Sequence, residues 1–235
     1  MTTAAKLERN FQAIQSAILQ ACDRGGQDHT DVTLMAVTKY AADADVLALL
    51  QTGKISHIGE SRVQQAQARW TRPDFAKYPV TKHFIGHLQK NKAAQAAALF
   101  DFIDSIDNLQ IAQVLNECAK KIGKTLRVLV QIKLTDRESQ SGVSLEQAPV
   151  LLAQTRKLSH LQPCGYMAIA PQTDDTTRLR ALFRNVKEAF DRDFPVKQER
   201  YLSLGMSNDF EVAVEEGSTL PRVGSKLFAP HLEEL

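Results

Sequence analysis

The group in this chain best placed for covalent chemistry is Lys39. It follows a short apolar run, TLMAVT at 33–38, and shares alternation parity with Met35 and Val37. If those two residues face the inside of a barrel, the Lys39 amine points into its mouth. Desolvation there favours the neutral amine, the form that condenses with an aldehyde. A strand-end lysine on its own more often snorkels to water, so the reading depends on what stands beside it. Two late segments, Gly205-Met206-Ser207 and Arg222-Val223-Gly224-Ser225, have the composition of an anion cradle. Glycine lets the backbone approach an anion, and serine hydroxyls add donors. His83 and His87, four apart, have helical zinc spacing. However, HFIGH reads as a strand and its exit, and no acidic or cysteine partner has telling spacing, so no metal site is expected. Asp104-Ser105 and Asp136 fit helix capping better than acid catalysis.

Elements that could bring these groups together follow from the hydrophobic pattern. Short β-branched or apolar runs occur at 33–38, 55–59, 83–86, 100–104, 126–134, 164–170, 201–205 and 220–224. Amphipathic stretches separate them. In 107–122, Ile111, Leu115, Cys118 and Ile122 share a face with Asp107 as N-cap; 174–191 opens on Asp174-Asp175. An opening helix to about residue 22 carries the stripe Leu7, Phe11, Ile14 and Ile18. Eight strand–helix repeats predict an α/β fold, a single (β/α)8 TIM-type barrel with an N-terminal helix, occupying 1–235 as one domain. The competing open sheet announces a nucleotide with a Gly-rich first turn, and the first turn here, VTKYAADAD, has no glycine.

In such a barrel the reactive groups lie at the carboxyl ends of the strands. Those junctions give Lys39, Glu60-Ser61, His87 with Gln89-Lys90-Asn91, Asp104-Ser105, Thr135-Asp136-Arg137, Gly205–Asp209 and Arg222–Ser225. Polar groups therefore converge on one rim. The 29 basic and 27 acidic side chains are interspersed, which gives no footprint for nucleic acid; 82–92 is the densest basic cluster and reads equally as solvated loop or anion site. Three scattered cysteines suggest a reducing compartment, and no window resembles a signal peptide or membrane span. A soluble cytoplasmic protein is expected.

The pieces LMAVTK (34–39), HIGES (57–61), HFIGHLQKNK (83–92), IKLTDRESQSG (132–142), GYMAI (165–169) and LSLGMSNDFEVAVEEGSTLPRVGSKLF (202–228) resemble the pyridoxal phosphate homeostasis protein family. These are single-barrel relatives of the cofactor-binding, alanine-racemase-like barrel. The resemblance implies pyridoxal 5′-phosphate (PLP) bound as a Schiff base on Lys39. Ser207, Gly224 and Ser225 would hold the phosphate with Met206 among the cofactor-binding residues, Arg222 would face the pyridine nitrogen, and Ser61 and His83 would line the site. Ser61, Lys82, His87, Lys133 and Ser225 depart from the family's usual residues. The implied role is a non-catalytic, monomeric PLP carrier acting in vitamin B6 and amino/keto acid homeostasis, with PLP-dependent apoenzymes as partners. The chain ends at Leu235 soon after the last strand, which leaves no room for the domain that supplies a racemase with its opposing base. Two alternatives remain. One is a PLP-dependent racemase or lyase with Lys39 as base and His83 or Tyr166 opposite; the other is a Schiff-base aldolase or phosphosugar isomerase without a visible chromophore.

Overall fold

A computed structural model describes residues 3–135, 140–195 and 199–229. All eight expected strands form: β1 Met35–Val37, β2 His57–Glu60, β3 Thr81–Phe84, β4 Phe102–Ile106, β5 Leu126–Lys133, β6 Leu161–Ile169, β7 Tyr201–Ser203 and β8 Arg222–Val223. Each pairs in parallel with its neighbour, in the order β7-β6-β5-β4-β3-β2-β1-β8. The helices are α1 Thr3–Gly25, α2 Asp43–Gln51, α3 Val63–Trp70, α4 Pro73–Ala76, α5 Ala93–Leu99, α6 Leu109–Lys121, α7 Ala148–Thr155, α8 Thr176–Asp193, α9 Phe210–Glu215 and α10 Ser225–Phe228. None among the described residues is long and apolar enough to cross a membrane.

The circle is a (β/α)8 barrel whose last joint is made without a ladder. Between β7 and β8 the Leu220 amide donates to Leu202 O at 3.1 Å and the Arg222 amide to Gly205 O at 3.1 Å. Buried Ser218 stitches the same joint: its hydroxyl donates to Leu204 O at 2.8 Å and accepts from the Leu204 amide at 3.2 Å. These bonds satisfy edge groups that a short closing strand would otherwise leave open.

Strand alternation sorts the core into two shells. Leu34, Ala36, Ile58, Ile103, Val128, Val130, Leu202 and Val223 face the helices. Phe102, Leu129, Cys164 and Met167 fill the barrel. On α1 the stripe Leu7, Phe11, Ile14 and Ile18 is buried as expected, each side chain contributing about 1.5–3 kcal/mol. Two local expectations change. The N-cap of α6 is Asn108, whose Oδ1 accepts from the Ile111 amide at 2.9 Å, rather than Asp107. On the same helix Ile122 is 50% exposed, and Ala112 and Ala119 complete the buried face instead. Asp175 caps α8 as its sequence suggests.

Candidate functional site

Lys39 leaves β1 at the carboxyl mouth on a turn fixed from several sides. The Thr38 amide donates to Gly59 O at 3.1 Å, and Gln65 Nε2 donates to Lys39 O at 3.1 Å. Arg69, from α3, donates to Thr38 O at 3.0 Å and Ala41 O at 2.9 Å, bracketing the lysine. The same guanidinium meets Glu60 Oε1 at 2.8 Å and Asp43 Oδ1 at 2.8 Å. Glu60 is fully buried and accepts two further bonds, from Thr38 Oγ1 at 2.7 Å and Trp70 Nε1 at 3.2 Å. The Lys39 ammonium lies 5.3 Å from the ring centroid of exposed Tyr40. Its side chain is half-buried, so the desolvation expected at this position is only partial.

The anion-cradle segments meet next to this turn. Gly205 has φ +86, and a Cβ there would lie 2.6 Å from Ala213 Cβ, so glycine alone allows the chain to turn from β7 onto α9. Asp209 Oδ1 then accepts from the Met206 amide at 2.6 Å and closes the loop. Met206 is exposed at the rim and Ser207 is buried. The amides of Gly224 and Lys226 both aim at Ser207 Oγ, at 3.3 and 3.4 Å. A Cβ on Gly224 would lie 3.0 Å from Val37 O, which brings this segment against the strand that carries Lys39. Ser225 is exposed. The amides of Ser207 and Ser225 meet no acceptor among the described residues. Uncommitted donors around a serine hydroxyl suit a phosphate.

Below this rim sits Arg222, only 3% exposed. Its Nη1 donates to Ser203 O and Ser203 Oγ, both at 2.7 Å, and its Nη2 to Ala168 O at 2.9 Å. It has no carboxylate within salt-bridge distance among the described residues. Of its five N–H donors, Nε–H and one on Nη2 meet no acceptor there. Burial lowers the guanidinium pKa to about 10 against the pull of Asp104 and Asp209, so it stays charged at neutral pH. A rigid cation with spare donors fits a neutral, lone-pair-bearing ring nitrogen.

Of the site residues expected from the sequence, Lys39, Ser61, Ser207, Arg222, Gly224 and Ser225 fall on adjoining strand ends, with Met206 at the rim. Ser61 is the next inward position after Gly59, which pairs with Val37. His83 behaves differently. It is fully buried inside the barrel, with Nδ1 3.0 Å from both oxygens of Asp104 and Nε2 2.9 Å from His57 Nδ1. Asp104 is thus a partner of His83 rather than a cap. His87 stands apart on the rim, bonded to Ser141 Oγ at 3.0 Å, and no metal-binding cluster occurs among the described residues. A cavity of about 460 Å³ runs beside it along the basic segment, lined by Lys90 and Asn108. Tyr166 points outward, where its hydroxyl donates to Asp193 at 2.6 Å; burial first, then that carboxylate, raises its pKa. It is therefore absent from the mouth. Asp136 and Arg137 lie outside the described residues. Sequence reasoning named Glu60 at its strand end but missed Arg69 and His57; equal inward parity of His57 and His83 on neighbouring strands was the available signal for the last.

The alanine racemase N-terminal domain family matches residues 4–231. The pyridoxal phosphate homeostasis protein of Pasteurella multocida is 34% identical over 229 residues, which span 94% of this chain and 96% of the relative. PipY of Synechococcus elongatus PCC7942, solved with PLP bound, superposes with a TM-score of 0.79 at 30% identity, covering 95% of this chain and 100% of that one. A crystal structure of an unknown protein from Bifidobacterium adolescentis superposes with a TM-score of 0.88 at 26% identity, covering 96% and 95%. With the match extending over nearly its whole length, the chain belongs to the alanine racemase N-terminal domain family and, within it, to the pyridoxal phosphate homeostasis proteins.

Proposed function

We propose that this chain binds PLP as a Schiff base on Lys39 and serves as a non-catalytic carrier that buffers cellular PLP. The observation that carries the reading is Arg222: a buried cation without a carboxylate partner among the described residues, set beneath the rim that holds Lys39 and the Ser207–Gly224 cradle. Ser207, Gly224 and Ser225 would hold the phosphate with hydroxyl and amide donors, while Met206 and Ser61 would flank it. Bound PLP supplies an aldehyde and a ring that draws electrons only when its nitrogen is protonated. Arg222 holds its own proton at neutral pH, which would keep a facing ring nitrogen unprotonated and disfavour carbanion chemistry. Neither side chain suited to an opposing acid is available: Tyr166 is bonded outside the barrel, and both His83 nitrogens are engaged within it. In this reading the protein is a cytoplasmic monomer that hands PLP to PLP-dependent apoenzymes.

Absorption spectroscopy tests the binding. Titration of the purified protein with PLP should raise a visible Schiff-base band, and Lys39→Ala should abolish it. A protein that PLP cannot titrate, or an undiminished band in Lys39→Ala, would remove the reading. Incubation with L-amino acids in deuterated water separates carrier from enzyme. Stereospecific α-proton exchange at catalytic rates would establish a racemase or lyase instead.

A further inference from the structure

Barrel interiors are ordinarily filled by layers of Val, Ile and Leu. Here the middle of the barrel holds His83 and Asp104, both fully buried, and the guanidinium of Arg222. An isolated carboxylate at such a position costs several kcal/mol. Among the described residues the only hydrogen-bond donor to the Asp104 side chain is His83, whose Nδ1 lies 3.0 Å from each oxygen. That geometry requires the proton on Nδ1. The Nε2 nitrogen then shares a hydrogen with His57 Nδ1 at 2.9 Å. Both ring nitrogens of His83 are thereby engaged, one by His57 and one by Asp104.

The histidine is also mechanically confined. Its ring stacks on Phe102 at 4.3 Å and 10°, and Arg127 covers the other side of Phe102 at 4.2 Å. The titratable and charged groups facing this chain come from every neighbouring strand: Asp101 beside β4, Arg127 on β5, Cys164 on β6, Tyr201 and Glu199 at β7, and Arg222 on β8. Glu199 is paired with Arg127 at 2.8 Å, and burial holds the Cys164 thiol and the Tyr201 phenol up at about 12. Arg222 is therefore the one buried cation near the centre without a direct carboxylate partner among the described residues, and the carboxylate of Asp104, buried in the same interior, favours its charge.

We propose that His83 is a positioning residue for the ring end of the cofactor site: pinned between His57 and Asp104, it fixes the Asp104 carboxylate inside the barrel, and that carboxylate balances the charge of Arg222, which Ser203 and Ala168 hold in the same interior. The inference rests on the reading in which PLP lies above Arg222, and it assigns His83 a role beneath the cofactor instead of contact with it. Removing the donor or the charge should then alter the polarity at the ring nitrogen while leaving Lys39 untouched.

Three readouts test this. Nitrogen-15 spectra of the PLP-free protein should show a proton on His83 Nδ1; a bare Nδ1 would overturn the arrangement whatever PLP does. In the PLP-loaded protein, Asp104→Asn and His83→Phe should each weaken PLP binding about tenfold or more, the range for losing a buried charged hydrogen bond. They should also shift the pH midpoint of the bound chromophore by about one unit. His83→Asn, whose amide can overlay Nδ1 and still donate to Asp104, should restore most of both. Asp104→Asn carries the comparison alone if His83→Phe does not fold. Wild-type affinity and midpoint in a folded Asp104→Asn would sink the proposal while leaving the loss of the band in Lys39→Ala intact. Loss of PLP binding by the wild type would sink the underlying reading instead.

Discussion

In the proposed reading Arg222 concentrates the chemistry that distinguishes holding PLP from using it. Three of its donors are spent on Ser203 and Ala168, which lock the planar group; a lysine has no fork to reproduce this. Arg222→Lys is therefore expected to be far from conservative. It leaves the acceptors on Ser203 and Ala168 short of donors and costs about 1–3 kcal/mol of stability for the unmade bonds, measurable by urea denaturation. Arg222→Glu changes the chemistry more directly. A carboxylate at this position would favour a protonated ring nitrogen, so the bound chromophore should shift its absorption relative to wild type. An unshifted spectrum in folded Arg222→Glu would mean that the ring nitrogen lies elsewhere. Lys39 itself stays half-buried and reachable, as the proposed uptake and return of an aldehyde there would require.

At the scale of elements, the turn after β1 owes its shape to α3. Arg69 bridges β1, β2 and α2 by bonding Thr38 O, Ala41 O, Glu60 and Asp43 from one buried guanidinium. Truncation as Arg69→Met strands Glu60 as a buried charge and should cost about 3–5 kcal/mol. The double variant Arg69→Met/Glu60→Gln should recover part of that loss in denaturant titrations, since the orphaned charge is then gone. Additive losses would show that the two side chains do not act as a unit. This network also marks the limit of what the sequence discloses. The strands were legible because parallel strands bury both faces and read as apolar runs, as 126–134 and 33–38 do. Lys39, Ser207, Arg222 and Gly224 were legible because barrel chemistry gathers at strand ends and because the 202–228 segment resembles a family. Arg69 was not, since a lone arginine in an amphipathic helix reads as surface. Asn108 outcompeted Asp107 as a cap by a one-residue choice that periodicity does not resolve. His83 was placed at the site by the resemblance, and alternation alone does not tell how deep in the barrel a side chain lies.

The whole molecule joins its two ends through one interior. The mouth carries the lysine and the cradle, and the opposite end is plugged by His57, Arg127 and Tyr201 around Phe102. Ion pairs of Arg24, Arg180 and Arg184 with Glu211, Glu215 and Glu216 tie α1 and α8 to α9, the helix that follows the cradle loop. Acid should act on these ends in sequence. Burial, then the proximity of His83 and Arg127, depresses the His57 pKa from 6.5 to about 4. Above pH 6.5 the ring is neutral in both folded and unfolded chains, so its contribution is intact. Between about pH 6.5 and 4 the unfolded chain takes up a proton that the folded one refuses, and stability falls. The slope is at most about 1.4 kcal/mol per pH unit, less as water reaches the half-buried ring. Glu215 acts later: burial alone would raise it, but Arg24 and Arg180 hold it below its ordinary 4.5, so its contribution is present above about pH 4.5 and is lost as pH falls from there through the folded value. Urea midpoints measured from pH 7.5 to 4.5 should therefore decline in the wild type and decline less in His57→Gln. Parallel curves would mean that the folded barrel leaves the His57 pKa at its unfolded value.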